Sequence, residues 1–110
     1  MKVIATPAYE RGAARLLTEA ERTRAEAEIV ARPDAWPVIP GAGGARKARV
    51  ARGGKGKSGG ARVIYFHAPA PGLLVLLAIY AKSVKEDLSD GERKGIRAAV
   101  REILAAAGEG

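Results

Sequence analysis

The chain has no cysteine, which excludes disulfides, thiolate metal sites and cysteine nucleophiles. Histidine occurs once, as His67, so no histidine pair can divide the acid and base roles of a reaction. No apolar run approaches the roughly 18 residues that a membrane helix needs. The longest, Leu73 to Ala81, suits a buried strand. The opening Met1-Lys2-Val3-Ile4 lacks the apolar stretch of a secretory signal, so the expected location is cytoplasmic and no membrane partner is expected. The acids Asp34, Glu86, Asp87 and Asp90 have no spacing that suggests a metal cluster, so no metal or other cofactor is expected. Glu86 and Asp87 flank an expected helix start, where the helix dipole favours carboxylates.

The most telling scarcity is local. Residues 46 to 62 contain no acid, yet they hold Arg46, Lys47, Arg49, Arg52, Lys55, Lys57 and Arg62. Elsewhere the chain carries 12 basic and 12 acidic residues, so the whole net charge of +7 lies in this one block. A balanced chain with a single basic block is directed at a polyanion or an acidic partner.

At 110 residues the chain is expected to form one domain, spanning 1–110. Val3, Ile4 and Ala5 read as a short opening strand. Thr6 reads as an N-cap with Pro7 in the first helical position, opening a helix over about 7–17 with Tyr9, Ala13, Leu16 and Leu17 at helical spacing. Thr18-Glu19-Ala20-Glu21 is a capping box for a second helix that Pro33 ends. That helix is polar, with Ala20, Ala27, Ile29 and Val30 as its main apolar residues, and is expected at the surface. Residues 33–44 form a connector rich in Pro and Gly. Within it, Trp36 is expected to pack against the helical hairpin.

Alternation begins at Ala45. Arg46, Ala48 and Val50 fall on one face, and Lys47, Arg49 and Ala51 on the other. A glycine-rich loop over 53–60 leads to a strand from Ala61 to His67, a turn at Pro69-Ala70-Pro71-Gly72, and an apolar strand from Leu73 to Tyr80. Ser89-Asp90-Gly91-Glu92 is another capping box. Its helix places Ile96, Val100, Ile103, Leu104 and Ala107 on one stripe. The order β-α-α-β-β-β-α predicts an α+β domain in which an antiparallel β-sheet carries a helical hairpin and a C-terminal helix. The helices are expected on one face, leaving the other open and bordered by the basic block.

Gly56-Lys57-Ser58 invites comparison with a phosphate-binding P-loop, but the pattern needs Gly where this chain has Ala51, and the loop leads into a strand rather than a helix. The glycines alone would fit a flexible, solvated hairpin tip. The basic strand residues on both sides of it converge on one end of the sheet and point to nucleic-acid contact, with glycine N–H groups free to approach phosphates. Arg62 stands at the start of an apolar strand. Its planar fork suits a phosphate clamp. Tyr80 and Lys82 share a face by period-two geometry. Tyr80 reads either as core or as a platform for a base. His67 reads as a surface strand residue away from the loop tip.

The segment from Ile39-Pro40-Gly41 through Arg46-Lys47-Ala48-Arg49, followed by Gly59-Gly60-Ala61-Arg62-Val63-Ile64-Tyr65-Phe66 and then Ile79-Tyr80-Ala81-Lys82 with Asp87-Leu88-Ser89, resembles the HigB branch of the RelE/ParE toxin superfamily. Three blocks in the right order, over about residues 30 to 105, carry the resemblance. It implies an antiparallel sheet flanked by helices, ribosome-dependent cleavage of messenger RNA, and a cognate antitoxin with a helix-turn-helix domain, through which alone DNA would be contacted. By the same resemblance Arg62 matches a strand arginine that contacts the scissile phosphate, Lys47 and Arg49 a preceding-strand basic pair, and Lys82 the basic position after the last strand. Ala42 and Ala45 depart from the usual Thr and Leu, and Ser89 or its neighbours stand where RelE-like relatives have a C-terminal tyrosine. The expected catalytic set is Arg62, Lys82, Lys57 and Lys47, with Lys57 or Lys47 as proton acceptor. Arg46, Arg49, Arg52, Lys55 and Tyr80 are the expected RNA contacts. Two other readings stand beside it: a non-catalytic nucleic-acid binder, which explains the basic block equally well, and, from the ParE side of the same superfamily, a gyrase-directed toxin, against which the lysine-rich loop and Arg62 argue.

Overall fold

A computed structural model describes residues 1–54, 56 and 59–109; Lys55 and Lys57, two of the expected site residues, lie outside the described residues. The element order is β1 (Lys2–Ala5), α1 (Pro7–Leu16), α2 (Glu19–Ala31), β2 (Arg46–Val50), β3 (Ala61–Ala68), β4 (Leu73–Ala81) and α3 (Asp90–Glu109). Local chemistry sets the helix starts. The Thr6 hydroxyl accepts from the Tyr9 N–H, with Pro7 in the first turn. Thr18 and Glu21 cap each other's backbone N–H groups, and Ser89 and Glu92 do the same ahead of α3.

The strands form one sheet in the order β1-β4-β3-β2. β2, β3 and β4 are the expected antiparallel meander, while β1 joins parallel to β4, so the sheet is mixed. Gly60 starts the return strand where the chain passes itself closely: a Cβ there would collide with the Val50 carbonyl oxygen. On α1, Gly12 permits a similar approach, since a Cβ would lie 2.6 Å from Ile79 Cγ2. Among the described residues, no helix is long and apolar enough to cross a membrane.

The helices divide between the two faces of the sheet, contrary to the expectation that all would cover one. Tyr9, Ala13, Ala25 and Ile29 of α1 and α2 pack with Ala48, Val63, Tyr65, Leu74 and Leu76. Val100 of α3, with Ile39, Ala42 and Leu88, packs with Ile64, Phe66, Val75 and Leu77 on the opposite face. β3 is therefore buried on both sides from Ala61 to Phe66. Fully burying a single Val, Leu or Ile contributes about 1.5–3 kcal/mol, so a strand bearing such residues on both sides has reason to be covered twice. In α2 the inward positions are Ala25 and Ile29, while Ala20 and Ala27 are exposed. In α3, Leu104 stays 46% exposed and outside the core.

The connector between α2 and β2 is tied to the sheet by side chains. Tyr65 donates to the Pro33 carbonyl at 2.6 Å, and His67 Nδ1 lies 2.9 Å from the Asp34 carboxylate. That hydrogen bond holds the Asp34 carboxyl below its usual range. Trp36 packs against the α1–α2 core, as expected.

Candidate functional site

Strand register builds the site. Arg49 pairs directly opposite Arg62, and Arg62 directly opposite Tyr80. Directly opposed residues share a face, so Arg49, Arg62 and Tyr80 form one row across three strands. Lys47 lies in the next row, opposite Ile64. Lys82 continues the ladder two residues, or one row, beyond Tyr80: its N–H donates to the Gly60 carbonyl at 3.1 Å. This is the face that carries α3, because Ile64 and Phe66 alternate with the residues that meet α1 and α2. Along β3 the face runs Arg62, Ile64, Phe66, Ala68. One end is thus apolar and covered by α3, and the other end, where the glycine-rich loop joins, is basic.

The loop between β4 and α3 closes over this basic end. Lys47 Nζ donates to Asp87 at 2.8 Å, and this contact holds the Asp87 carboxyl below its usual range. Arg62, only 2% exposed, donates to the Ala61 carbonyl at 3.2 Å, and its Nη2 lies 3.9 Å from the exposed Glu86 carboxylate. The Tyr80 hydroxyl donates to the Glu86 carbonyl at 3.3 Å. Lys85 Nζ sits 5.0 Å from the centre of the Tyr80 ring and pairs with Glu92, the capping residue of α3. Burial pushes the Tyr80 phenol up from its ordinary range. The loop is therefore held at three points, while the Glu86 side chain projects into solvent beside the Arg62 guanidinium.

Of the residues expected from sequence, Lys47, Arg49, Arg62, Tyr80 and Lys82 come together on this end of the sheet. Tyr80 is 8% exposed, in the α3-side core, with Lys85 over its ring. It fixes the loop and presents no open face to a base. Arg46 and Arg52 lie elsewhere. Arg46 donates to the Asp34 and Trp36 carbonyls and pairs with the Asp34 carboxylate at 3.6 Å, which anchors the connector. Arg52 Nε donates to the Leu16 carbonyl at 3.0 Å, and the neighbouring Gly53 N–H donates to Glu21, so the base of the β2–β3 loop is fastened to the α1–α2 junction. Sequence reasoning missed the approach of Glu86 and Asp87 to the basic row.

Two guanidiniums in one row, Arg49 exposed and Arg62 buried, with an ammonium one row away, give this end of the sheet a positive charge that suits a phosphodiester. Compared with known protein families, residues 40–110 match the family described as the RelE toxin of the RelE / RelB toxin-antitoxin system. The match begins at the connector and takes in β2, β3, β4 and α3, the elements that build the site.

Proposed function

The chain belongs to the RelE toxin family of toxin-antitoxin systems, and from that premise we propose that it is an endoribonuclease of the HigB branch that cuts messenger RNA on the ribosome, in the cytoplasm. A cognate antitoxin is the partner that the family implies; we propose one with a helix-turn-helix domain. The observation that carries the nuclease reading is the register that sets Arg49 beside Arg62, with Lys47 one row away.

RNA carries its own nucleophile in the 2′-hydroxyl. The enzyme must hold the phosphate in line, accept the 2′-hydroxyl proton and offset the charge that grows on the nonbridging oxygens. Arg62 is the clamp for those oxygens, in the manner of an oxyanion hole, and Arg49 supports it from β2. Lys82, at the end of β4, adds positive charge along the path of the backbone. Lys47 acts as a cation, since its ammonium is held by Asp87, and this use leaves it ill placed as a proton acceptor. The products are a 2′,3′-cyclic phosphate and a 5′-hydroxyl.

The test is a reporter RNA in an active translation extract, with cut ends mapped by primer extension. Codon-linked cuts are expected from the parent. Arg62→Ala should lose about 3 kcal/mol of transition-state stabilisation, roughly 100-fold in rate. Cutting by Arg62→Ala at the parental rate would remove Arg62 from the mechanism. Retarded but intact RNA with the parent would make the protein a binder, and DNA damage without RNA cuts would point to gyrase.

A further inference from the structure

Among the described residues the nuclease reading still needs a proton acceptor, and we propose that the Glu86 carboxylate is that group. The inference rests on that reading and concerns one atom pair: Glu86 Oε1 lies 3.9 Å from Arg62 Nη2. The guanidinium would hold the nonbridging oxygens of the scissile phosphate. The 2′-hydroxyl belongs to the same nucleotide step, so a group beside the clamp is within reach of its proton.

None of the other described side chains of the basic end offers an acceptor. Arg49 and Arg62 stay charged and cannot accept, and the Lys82 ammonium has donors and no acceptor. Lys47 is hydrogen-bonded as an ammonium to Asp87, and Asp87 is occupied by it. Tyr80 donates its proton to the Glu86 carbonyl and is pushed further from ionisation by burial. Lys85 pairs with Glu92. His67 is on the other face of the sheet, against Asp34. Glu86 differs from all of these. Its side chain is 61% exposed, and its separation from Arg62 is longer than a hydrogen bond. Its backbone is pinned by Tyr80, and the next residue by Lys47. The arrangement is a fixed backbone with a carboxylate open to substrate, which is what a general base requires.

In the step itself, the Glu86 carboxylate takes the 2′-hydroxyl proton as the 2′-oxygen forms its bond to phosphorus. The bond from phosphorus to the 5′-oxygen breaks. The departing oxygen takes a proton from solvent water, and Glu86 gives its proton back to solvent. No oxidant, reductant or further reactant is needed.

Glu86→Gln keeps the shape of the side chain and removes its basicity. Cleavage is measured under single-turnover conditions on programmed ribosomes, and binding on the same complex with a 2′-deoxy residue at the cut position. The expected result is a cleavage rate lower by about 100-fold or more, with unchanged or tighter binding, and partial recovery in Glu86→Asp. If the parent cuts and Glu86→Gln cuts at a similar rate, the assignment of Glu86 fails while the nuclease reading stands. A rate above the parent's would mean that the carboxylate merely screens Arg62, and would likewise overturn it. If the parent does not cut at all, both fall together.

Discussion

Two arginines face each other across β2 and β3, and that pairing has a stability cost that can be measured. Arg49 and Arg62 are directly opposed in the antiparallel register, where like charges are unfavourable and pair effects run to about 0.2–1 kcal/mol. Arg62 is buried and Arg49 exposed, so substituting Arg49 removes the repulsion without opening a cavity. Arg49→Thr also places a β-branched residue in a strand, a favourable change. Together the two effects should raise stability by about 0.5–1 kcal/mol. For a domain of this size that is a rise in melting temperature of about 2–5 °C, read by thermal unfolding followed by circular dichroism at low ionic strength. The part due to charge should shrink in 1 M salt, where the Debye length is about 3 Å. RNA binding should move the other way: affinity falls, and the slope of log affinity against log salt should drop by about 0.7 if Arg49 contributes one phosphate contact to a single strand. A variant that melts at or below the parent at low salt, with no salt dependence in the difference, would show that the opposed arginines do not strain the sheet.

Two further outcomes follow from the described contacts. Tyr65→Phe removes the 2.6 Å hydrogen bond to the Pro33 carbonyl and should cost about 1 kcal/mol of stability in urea unfolding, with RNA cleavage unchanged, because Tyr65 faces α1 and α2 rather than the basic row. For Asp87, Lys47 lowers the folded-state pKa relative to the unfolded chain, so the pair's stabilisation is present above the ordinary carboxylate range and is lost as pH falls through the lowered value. Carboxyl NMR should find Asp87 titrating below that range, and Lys47→Met should bring it back up; identical titration in the two proteins would mean that the ion pair does not form in solution.

The elements themselves were legible because their signals are local. The Thr6 and Thr18 caps, Pro7, Pro33 and the Ser89–Glu92 box all act within one helical turn, and the helices begin where these residues place them. The side of the sheet that α3 takes is not local information, since its apolar stripe fits either face. A pointer was nevertheless present in β4, whose unbroken apolar run is the pattern of a strand covered on both sides. Alternation also separated Arg46, together with Ala48 and Val50, from Lys47 and Arg49, and that division is the one the sheet keeps. Arg52 lies past the end of β2, where period-two reasoning no longer applies, and its bond to Leu16 depends on how the helical hairpin sits. Glu86 reaches Arg62 through tertiary folding alone, and no spacing in the chain announces it.

One irregularity ties the apolar and basic halves of the site-bearing face together. The pairing of β3 with β4 shifts between Ile64, opposite Ala78, and Tyr65, opposite Leu76, so that Leu77 is the extra residue of a bulge. An unbroken ladder continuing from Tyr65 opposite Leu76 would set Ile79 opposite Arg62 and turn Tyr80 toward α1, because a slip of one residue sends every side chain to the other face. With the bulge, Leu77 still packs under α3, Ile79 meets Gly12 of α1, and Tyr80 comes round beside Arg62. Its hydroxyl then holds the Glu86 carbonyl. The position of the loop carboxylate next to the buried guanidinium thus depends on a single inserted residue in the central sheet, which couples the packing under α3 to the geometry of the basic end.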